Sequence, residues 1–317
     1  MAFAIRDWAE MITWRHKMTQ KEMQEIKLKN YSPLRYPGGK SKLAPFVSLV
    51  IKKANLQEPV YIEPFAGGAG IALELLFNGT VREIVINDYD KAIYSMWRAI
   101  LTDTQNFIQL IENTPVNANE WRNQKNVYLT QNQKYSIELG FAAFYLNRTN
   151  HSGILGAGPI GGYDQTGKYL IDVRFNKKDL IARIRQIAKY KSKIHLYNQD
   201  VRTFLNVYLQ RYIENAFIYL DPPYYHKGKQ LYKNFFSHND HAQIRDIIAN
   251  LNCPWMVTYD DVAEIREIYN MYQGYNFDLV YSLANTGRNS EIMFLSNQKL
   301  IPTDDELTKA GIKINFR

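Results

Sequence analysis

The apolar run Phe217 to Leu220 stops at Asp221-Pro222-Pro223-Tyr224, with Tyr225 after it. Asp221 offers one hydrogen-bond acceptor and the Pro222 carbonyl a second. The paired prolines stiffen the turn and remove backbone donors, and Tyr224 supplies a flat aromatic face. Two acceptors beside a ring make a holder for an aromatic primary amine, taking its two N–H groups while the ring stacks. An adenine amine is a weak nucleophile because its lone pair is delocalised. Drawing both hydrogens toward Asp221 and Pro222 biases the nitrogen toward tetrahedral geometry and frees that pair to attack a sulfonium methyl. Aligning nitrogen, carbon and sulfur can supply about 7 to 11 kcal/mol of the barrier, so this chemistry requires neither a metal nor a covalent intermediate. The plainer alternative is a proline-rich turn that closes a strand.

A second cluster, Tyr61-Ile-Glu-Pro-Phe-Ala-Gly-Gly-Ala-Gly70, leaves a strand and enters a helix through glycines. Such a turn lets backbone N–H groups and a helix N-terminus approach a ligand. Asp88 ends the next strand, at the distance where an acidic residue grips a ribose diol in nucleoside-binding α/β folds. The GxGxxG spacing is absent, so a nicotinamide dinucleotide fits poorly. His226, His238 and His241 follow the tetrapeptide, but His238-Asn-Asp-His241 reads as the start of a helix running to Leu251, and no metal site is expected.

These two turns need a sheet to bring them together. From Tyr31 onward short β-rich runs alternate with helical segments, the pattern of a sheet with helices on its faces. Strands are expected at Val60 to Glu63, Glu83 to Asn87, Lys193 to Tyr197, Ala216 to Leu220, Trp255 to Tyr259, Phe277 to Leu283 and Glu291 to Leu295, the last two joined as an antiparallel hairpin at the sheet edge. About a hundred residues separate the second strand from the third, too many for an ordinary βα connection. An inserted, mainly helical module is therefore expected at 96–190: helix over Tyr94 to Ile111 and Tyr135 to Leu146, a loop or hairpin with six glycines over Asn150 to Gly167, and a basic helix over Lys177 to Tyr190. The catalytic domain then comprises 31–95 and 191–300, preceded by a helical extension at 1–30 and followed by a tail at 301–317.

The 317 residues carry a net charge of +8, a field that attracts nucleic acid, anionic membrane or acidic partners. Between Arg148 and Lys193 ten Lys and Arg stand against three Asp, a net +7 in one stretch. This points to a phosphate-contacting surface, against the plainer reading of a solvated helix face. No apolar run approaches the roughly 20 residues that cross a bilayer, and no secretory signal is evident at the start. Cys253 is the only cysteine, which excludes an intramolecular disulfide and a thiolate zinc site. A cytoplasmic setting is expected.

In order along the chain, Leu34-Arg-Tyr-Pro-Gly-Gly-Lys40, Glu63-Pro-Phe-Ala-Gly67, Asp88 and Asp221-Pro-Pro-Tyr224 resemble the Dam-type (D12 class) adenine-N6 DNA methyltransferases, over about residues 31 to 298. The resemblance implies a Rossmann-like seven-stranded methyltransferase sheet with the insertion as target-recognition domain, S-adenosylmethionine as cofactor, and double-stranded DNA as partner. By position it implies that Tyr36, Lys40, Glu63, Phe65, Gly67, Asp88, Asp200 and Asp221 line the cofactor site, with Asp221, Pro222 and Tyr224 catalytic. Leu146-Asn147-Arg148 matches a segment leading into a DNA-contacting hairpin. The Dam pattern continues with an aromatic-Asn-Gly step and then an arginine. Here His151-Ser152-Gly153 and Gly156 stand instead, which argues against GATC as the target. The turn also carries Ala69 where the family's FxGxG has glycine.

The DNA-contacting candidates are Asn147, Arg148, His151, Ser152, Lys168, Arg174, Lys177, Lys178 and Arg288. A target adenine inside a duplex cannot reach such a crevice, so base flipping is expected, with Tyr225, Tyr232 and Phe235 in a loop able to close over it. A bacterial or phage origin, a partner restriction endonuclease or an orphan role, and a monomer or weak dimer all fit the resemblance. Two other readings are methylation of RNA or another amine, and an idle DNA-binding protein that keeps the fold.

Overall fold

The computed structural model describes residues 31–35, 40–131, 134–226, 236–279, 291–312 and 314–316. The expected helical extension at 1–30, the loop 284–290 and residues Tyr36, Tyr232, Phe235 and Arg288 lie outside these.

Eight strands, β1 Val60–Glu63, β2 Glu83–Asn87, β3 Ile194–Tyr197, β4 Ala216–Leu220, β5 Trp255–Asp260, β6 Tyr275–Leu279, β7 Glu291–Leu295 and β8 Ile314–Phe316, form one sheet in the order β3-β2-β1-β4-β5-β7-β6-β8. The first five are parallel; β7 pairs antiparallel with β5 and with β6, and β8 antiparallel with β6. The chain steps outward from β1 to β2 to β3, then returns to the other flank of β1 with β4. The gap beyond the carboxyl ends of β1 and β4 is thus a topological switch point, where open α/β sheets bind ligands.

The central strands are apolar throughout because both faces are covered. Val60, Ile62, Val85, Ile218, Leu220 and Val257 share one core with Phe204, Leu205, Ile244, Ile248 and Ile265. Their alternates Tyr61, Ile84, Ile86, Phe217 and Tyr219 are equally buried. The helices are α1 Ala44–Lys53, α2 Gly70–Phe77, α3 Lys91–Thr102, α4 Thr104–Asn113, α5 Ala118–Thr130, α6 Ile137–Thr149, α7 Lys177–Lys189, α8 His238–Ala249, α9 Ala263–Ile268 and α10 Asp304–Lys309. Side-chain caps start several of them: Asp90 accepts from Ala92 N–H, Ser136 from Leu139 N–H, and Ser237 forms a capping box with Asp240.

Three expectations change. The sheet has an eighth strand, because the stretch read as a tail folds back: α10 is clamped by Lys53 to Glu306 at 2.8 Å and β8 closes the edge beside β6. The expected domain boundary at 95/96 cuts through α3, whose Ser95, Met96 and Trp97 are all buried. The helix expected over Tyr94 to Ile111 is two, broken at Asp103, whose φ of −136° and ψ of 41° leave the helical region and end α3. The insertion is helical as expected, and α6 at its centre is buried on every side. It lies so close to α3 that a Cβ at Gly140 would meet the Ser95 backbone at 2.7 Å.

Candidate active site and nucleic-acid face

Glu63 closes β1 and Asp221 follows β4, and the two strands pair in parallel with Ile62 opposite Ile218. The glycine turn and the Asp-Pro-Pro-Tyr turn therefore open at one end of neighbouring strands. The glycine turn is held at several points. Gly67 N–H donates to Asp88 Oδ2 at 2.9 Å, Trp97 Nε1 donates to Gly67 O at 2.9 Å, and Asn87 Nδ2 donates to Pro64 O at 3.0 Å. Ala69 sits in the left-handed region at φ 47°, so the turn keeps its shape without the family's glycine, at a strain of about 1 to 2 kcal/mol.

Asp88 receives a second backbone donor, Asp90 N–H, at 2.9 Å on Oδ1. Burial, then the nearby Asp90, pushes its carboxyl up to about 7. Glu63 is 5% exposed and its Oε2 has no hydrogen-bond partner. Burial, reinforced by Asp221, raises it well above the usual carboxylate range. Asp200 lies past β3, accepts from Arg202 N–H and binds the Arg202 guanidinium at 3.0 and 3.1 Å, which holds its carboxyl low.

Lys40 is the hub on the other side. It is 4% exposed, and its Nζ lies 3.3 Å from Asp221 Oδ1, 3.1 Å from Glu291 Oε2 and 2.8 Å from the Tyr224 hydroxyl. That hydroxyl donates to Glu291 Oε1 at 2.7 Å. Thr258 Oγ1 donates to Asp221 Oδ1 at 2.9 Å and receives the Tyr219 hydroxyl at 2.8 Å. Burial raises the Asp221 carboxyl, and Lys40 opposes this. Tyr225 N–H donates to Asp260 Oδ1 at 3.0 Å, and Phe65 meets Phe236 edge-on at 5.8 Å beside the turn.

The structure thus brings together Lys40, Glu63, Phe65, Gly67, Asp88, Asp221, Pro222 and Tyr224, with Asp200 tied in through its neighbours. Sequence reasoning missed Glu291, Thr258 and Asn87. Glu291 reads as the polar start of an edge strand, and Thr258 as an interior strand residue. Asn87 is 1% exposed and also binds Gln199 O and Gln199 N–H at 3.1 and 2.9 Å, which joins the loops after β1, β2 and β3. The Asn87-Asp88 step at the end of β2 was its one sequence signal.

Three of the DNA-contacting candidates turn inward. Asn147 is 1% exposed; its Oδ1 accepts from Arg35 N–H at 2.7 Å, and its Nδ2 donates to Arg35 O and Gly153 O, both at 2.8 Å. Arg148 is buried and donates from Nε to Arg174 O at 2.8 Å. Burial, with Arg183, Arg35 and Arg174 nearby, pulls its guanidinium down to about 10. Lys177 Nζ donates to Glu112 O and Thr114 O at 2.8 and 2.7 Å, stopping the end of α4. Sequence pattern shows charge and not burial, so the intramolecular partners of these three were not visible in it. His151, Ser152, Lys168, Arg174 and Lys178 are exposed, and Tyr163 and Tyr169 stand 60% exposed among them.

A mixed sheet whose parallel strands carry acidic groups and a glycine turn at their switch point, with the Asp-Pro-Pro-Tyr turn at the end of the neighbouring strand, is the architecture of an α/β enzyme with its site at the strand ends. The chain belongs to the D12 class N6 adenine-specific DNA methyltransferase family, whose family model matches residues 36–283. It is an adenine-specific DNA methyltransferase. Similar proteins include the type II methyltransferase M1.LlaDCHI of Lactococcus lactis subsp. cremoris, 21% identical over 279 residues, covering 81% of this chain and 89% of that one. The type II methyltransferase M.MjaIII of Methanocaldococcus jannaschii is 22% identical over 233 residues, covering 67% and 76%. Among solved structures, the rRNA methyltransferase aviRa from Streptomyces viridochromogenes matches with a TM-score of 0.34 at 13% identity over 77% of this chain and 78% of that one, a likeness too slight to argue from. No helix among the described residues is long and apolar enough to cross a membrane.

Proposed function

We propose that the chain transfers a methyl group from S-adenosylmethionine to the N6 amine of an adenine flipped out of double-stranded DNA. The observation that carries this reading is the shared opening of the two turns at the carboxyl ends of β1 and β4, with Lys40 between Asp221 and Tyr224.

The residues fit such a cofactor. Glu63 keeps a buried, unpartnered Oε2 at the glycine turn, and Asp88 stands at the position of a ribose acceptor. S-adenosylmethionine, when bound, supplies an electrophilic methyl group on a sulfonium. Asp221 and the Pro222 carbonyl accept the two amine hydrogens, which pulls the nitrogen lone pair out of the ring. Tyr224 provides the stacking face, and its position is set by its hydroxyl bonds. Thr258 and Lys40 fix Asp221 Oδ1 and leave Oδ2 to face the amine.

The insertion, residues 96–190, serves as the target-recognition module. His151, Ser152, Lys168, Arg174 and Lys178 form its phosphate- and base-facing side. Asn147, Arg148 and Lys177 brace that face from beneath. Phosphate contacts offset the few kcal/mol that base extrusion costs. The chain works beside a restriction endonuclease or as an orphan methylase.

The test is transfer of labelled methyl from S-adenosylmethionine to unmethylated duplex DNA, followed by nucleoside analysis. Label in N6-methyladenine is expected. Label only in RNA, or none, would overturn the reading.

A further inference from the structure

Glu291 has no part in the chemistry described above, yet it is placed where a strand-starting glutamate has little reason to be. It lies opposite Asp260 in the β5–β7 pairing. Like charges directly opposite each other on an antiparallel pair are destabilising, a cost that the ion pair from Glu291 to Lys40 offsets in part. Both carboxylates are spent on the same turn: Asp260 Oδ1 takes Tyr225 N–H at 3.0 Å, and Glu291 Oε1 takes the Tyr224 hydroxyl at 2.7 Å. Two cross-strand neighbours thus grip the last residue of the Asp-Pro-Pro-Tyr turn and the residue that follows it.

That turn needs the grip. Residues 221–224 belong to no helix or strand, and their prolines donate nothing. The Tyr224 ring is oriented through its hydroxyl, which accepts from Lys40 Nζ and gives its single proton to Glu291. A phenol hydrogen bond lies near the plane of the ring, so the acceptor's position sets that plane. Burial and the two carboxylates keep this phenol protonated, which fixes the direction of the bond.

We propose that Glu291 is a positioning residue that sets the plane of the Tyr224 ring against the target base, acting through the Tyr224 hydroxyl and without touching substrate. The proposal rests on the reading of Tyr224 as the stacking face. Its second oxygen, Oε2, lies 3.1 Å from Lys40 Nζ and makes a smaller contribution through charge.

The test is a double-mutant cycle on single-turnover methyl transfer to unmethylated plasmid DNA. Glu291→Ala is expected to slow the step by roughly 10- to 100-fold, the worth of one hydrogen bond to a charged group. Cofactor affinity by calorimetry should stay within about threefold, since Glu291 lies off the glycine turn. Glu291→Gln, whose amide oxygen still accepts the phenol proton, should recover most of the rate, the remainder measuring the ion pair to Lys40. In a Tyr224→Phe background, Glu291→Ala should cost less than about threefold more. An equal loss with and without the hydroxyl, or a Glu291→Ala rate within twofold of the parent, overturns the proposal. Should Glu291→Ala fail to fold, Glu291→Asp, one methylene too short to reach the hydroxyl, takes its place in the cycle. A parent protein that moves no methyl to DNA brings down the reading of the turn and this proposal together; an active parent with an additive cycle removes Glu291's role alone.

Discussion

Replacing Lys40 by methionine isolates what the buried cation does for Asp221. Methionine keeps most of the stem, so packing is largely preserved and the charge is lost. In the parent, Lys40 Nζ faces one carboxylate at 3.3 Å and another at 3.1 Å, each pair attracting by about 5 kcal/mol at an effective dielectric near 20. Much of that repays the burial of the ions, and removing one partner of a buried pair typically costs about 3 to 5 kcal/mol. The protein can escape part of this by taking up a proton. Asp221 is raised by burial and lowered by Lys40, so without Lys40 its carboxyl moves further up. If about 2 kcal/mol of that attraction acts on the ionised form, the shift is about 1.5 pH units. A protonated Asp221 accepts the amine hydrogens poorly, so the acid limb of the rate profile must move to higher pH. Single-turnover methyl transfer from about pH 5 to 9 measures it. An acid limb in Lys40→Met that coincides with the parent's, or lies below it, would refute the electrostatic role given to Lys40.

Asp221→Ala should lose methyl transfer by at least about a thousandfold while DNA affinity in a filter-binding assay is kept; substantial residual turnover would remove Asp221 from the chemistry. The raised Asp88 carboxyl sets a pH dependence of its own. A carboxyl with an elevated folded pKa favours folding while protonated, and that stabilisation fades as pH rises toward about 7. A ribose diol prefers the carboxylate, so cofactor affinity should strengthen through the same interval and level off above it. Asp88→Asn should bind more weakly with a flat profile, and calorimetry showing the parent profile unchanged would dismiss the ribose role. On the DNA face, Arg174→Gln and Lys178→Gln should each reduce the salt slope of DNA binding by about 0.9, uniformly across sequences, whereas a slope identical to the parent's would place those side chains off the DNA.

The parts of the site that a strand must carry were legible before the structure, because strand ends announce themselves. Apolar runs stop at Glu63, Asn87 and Leu220, and the polar residues past them can point only into the crevice. Glu291 was hidden because its role comes from the antiparallel return of β7, which sets it opposite Asp260 and within reach of Tyr224. No local pattern encodes that pairing. Helix α5 was missed because its polar sequence buries only Trp121 and Tyr128, too few apolar positions to show a period. β8 is three residues long and takes its strand conformation from β6. The contacts of Arg148 and Lys177 were hidden for a related reason, since charge is visible in a sequence and the carbonyl it will meet is not.

The amide of Asn147 grips both the backbone of Arg35, five residues ahead of Lys40, and the carbonyl of Gly153 in the exposed loop. Gly153 has φ 77°, and a Cβ there would stand 2.2 Å from Arg35 O. Specificity loops are natural targets for grafting between related enzymes. A graft that begins after Asn147 and omits Gly153 would exchange the loop at the expense of the contacts that hold Arg35. The smallest transplantable unit therefore starts inside α6, and a chimera designed on the visible loop alone should lose the seat of Arg35 and fall in stability.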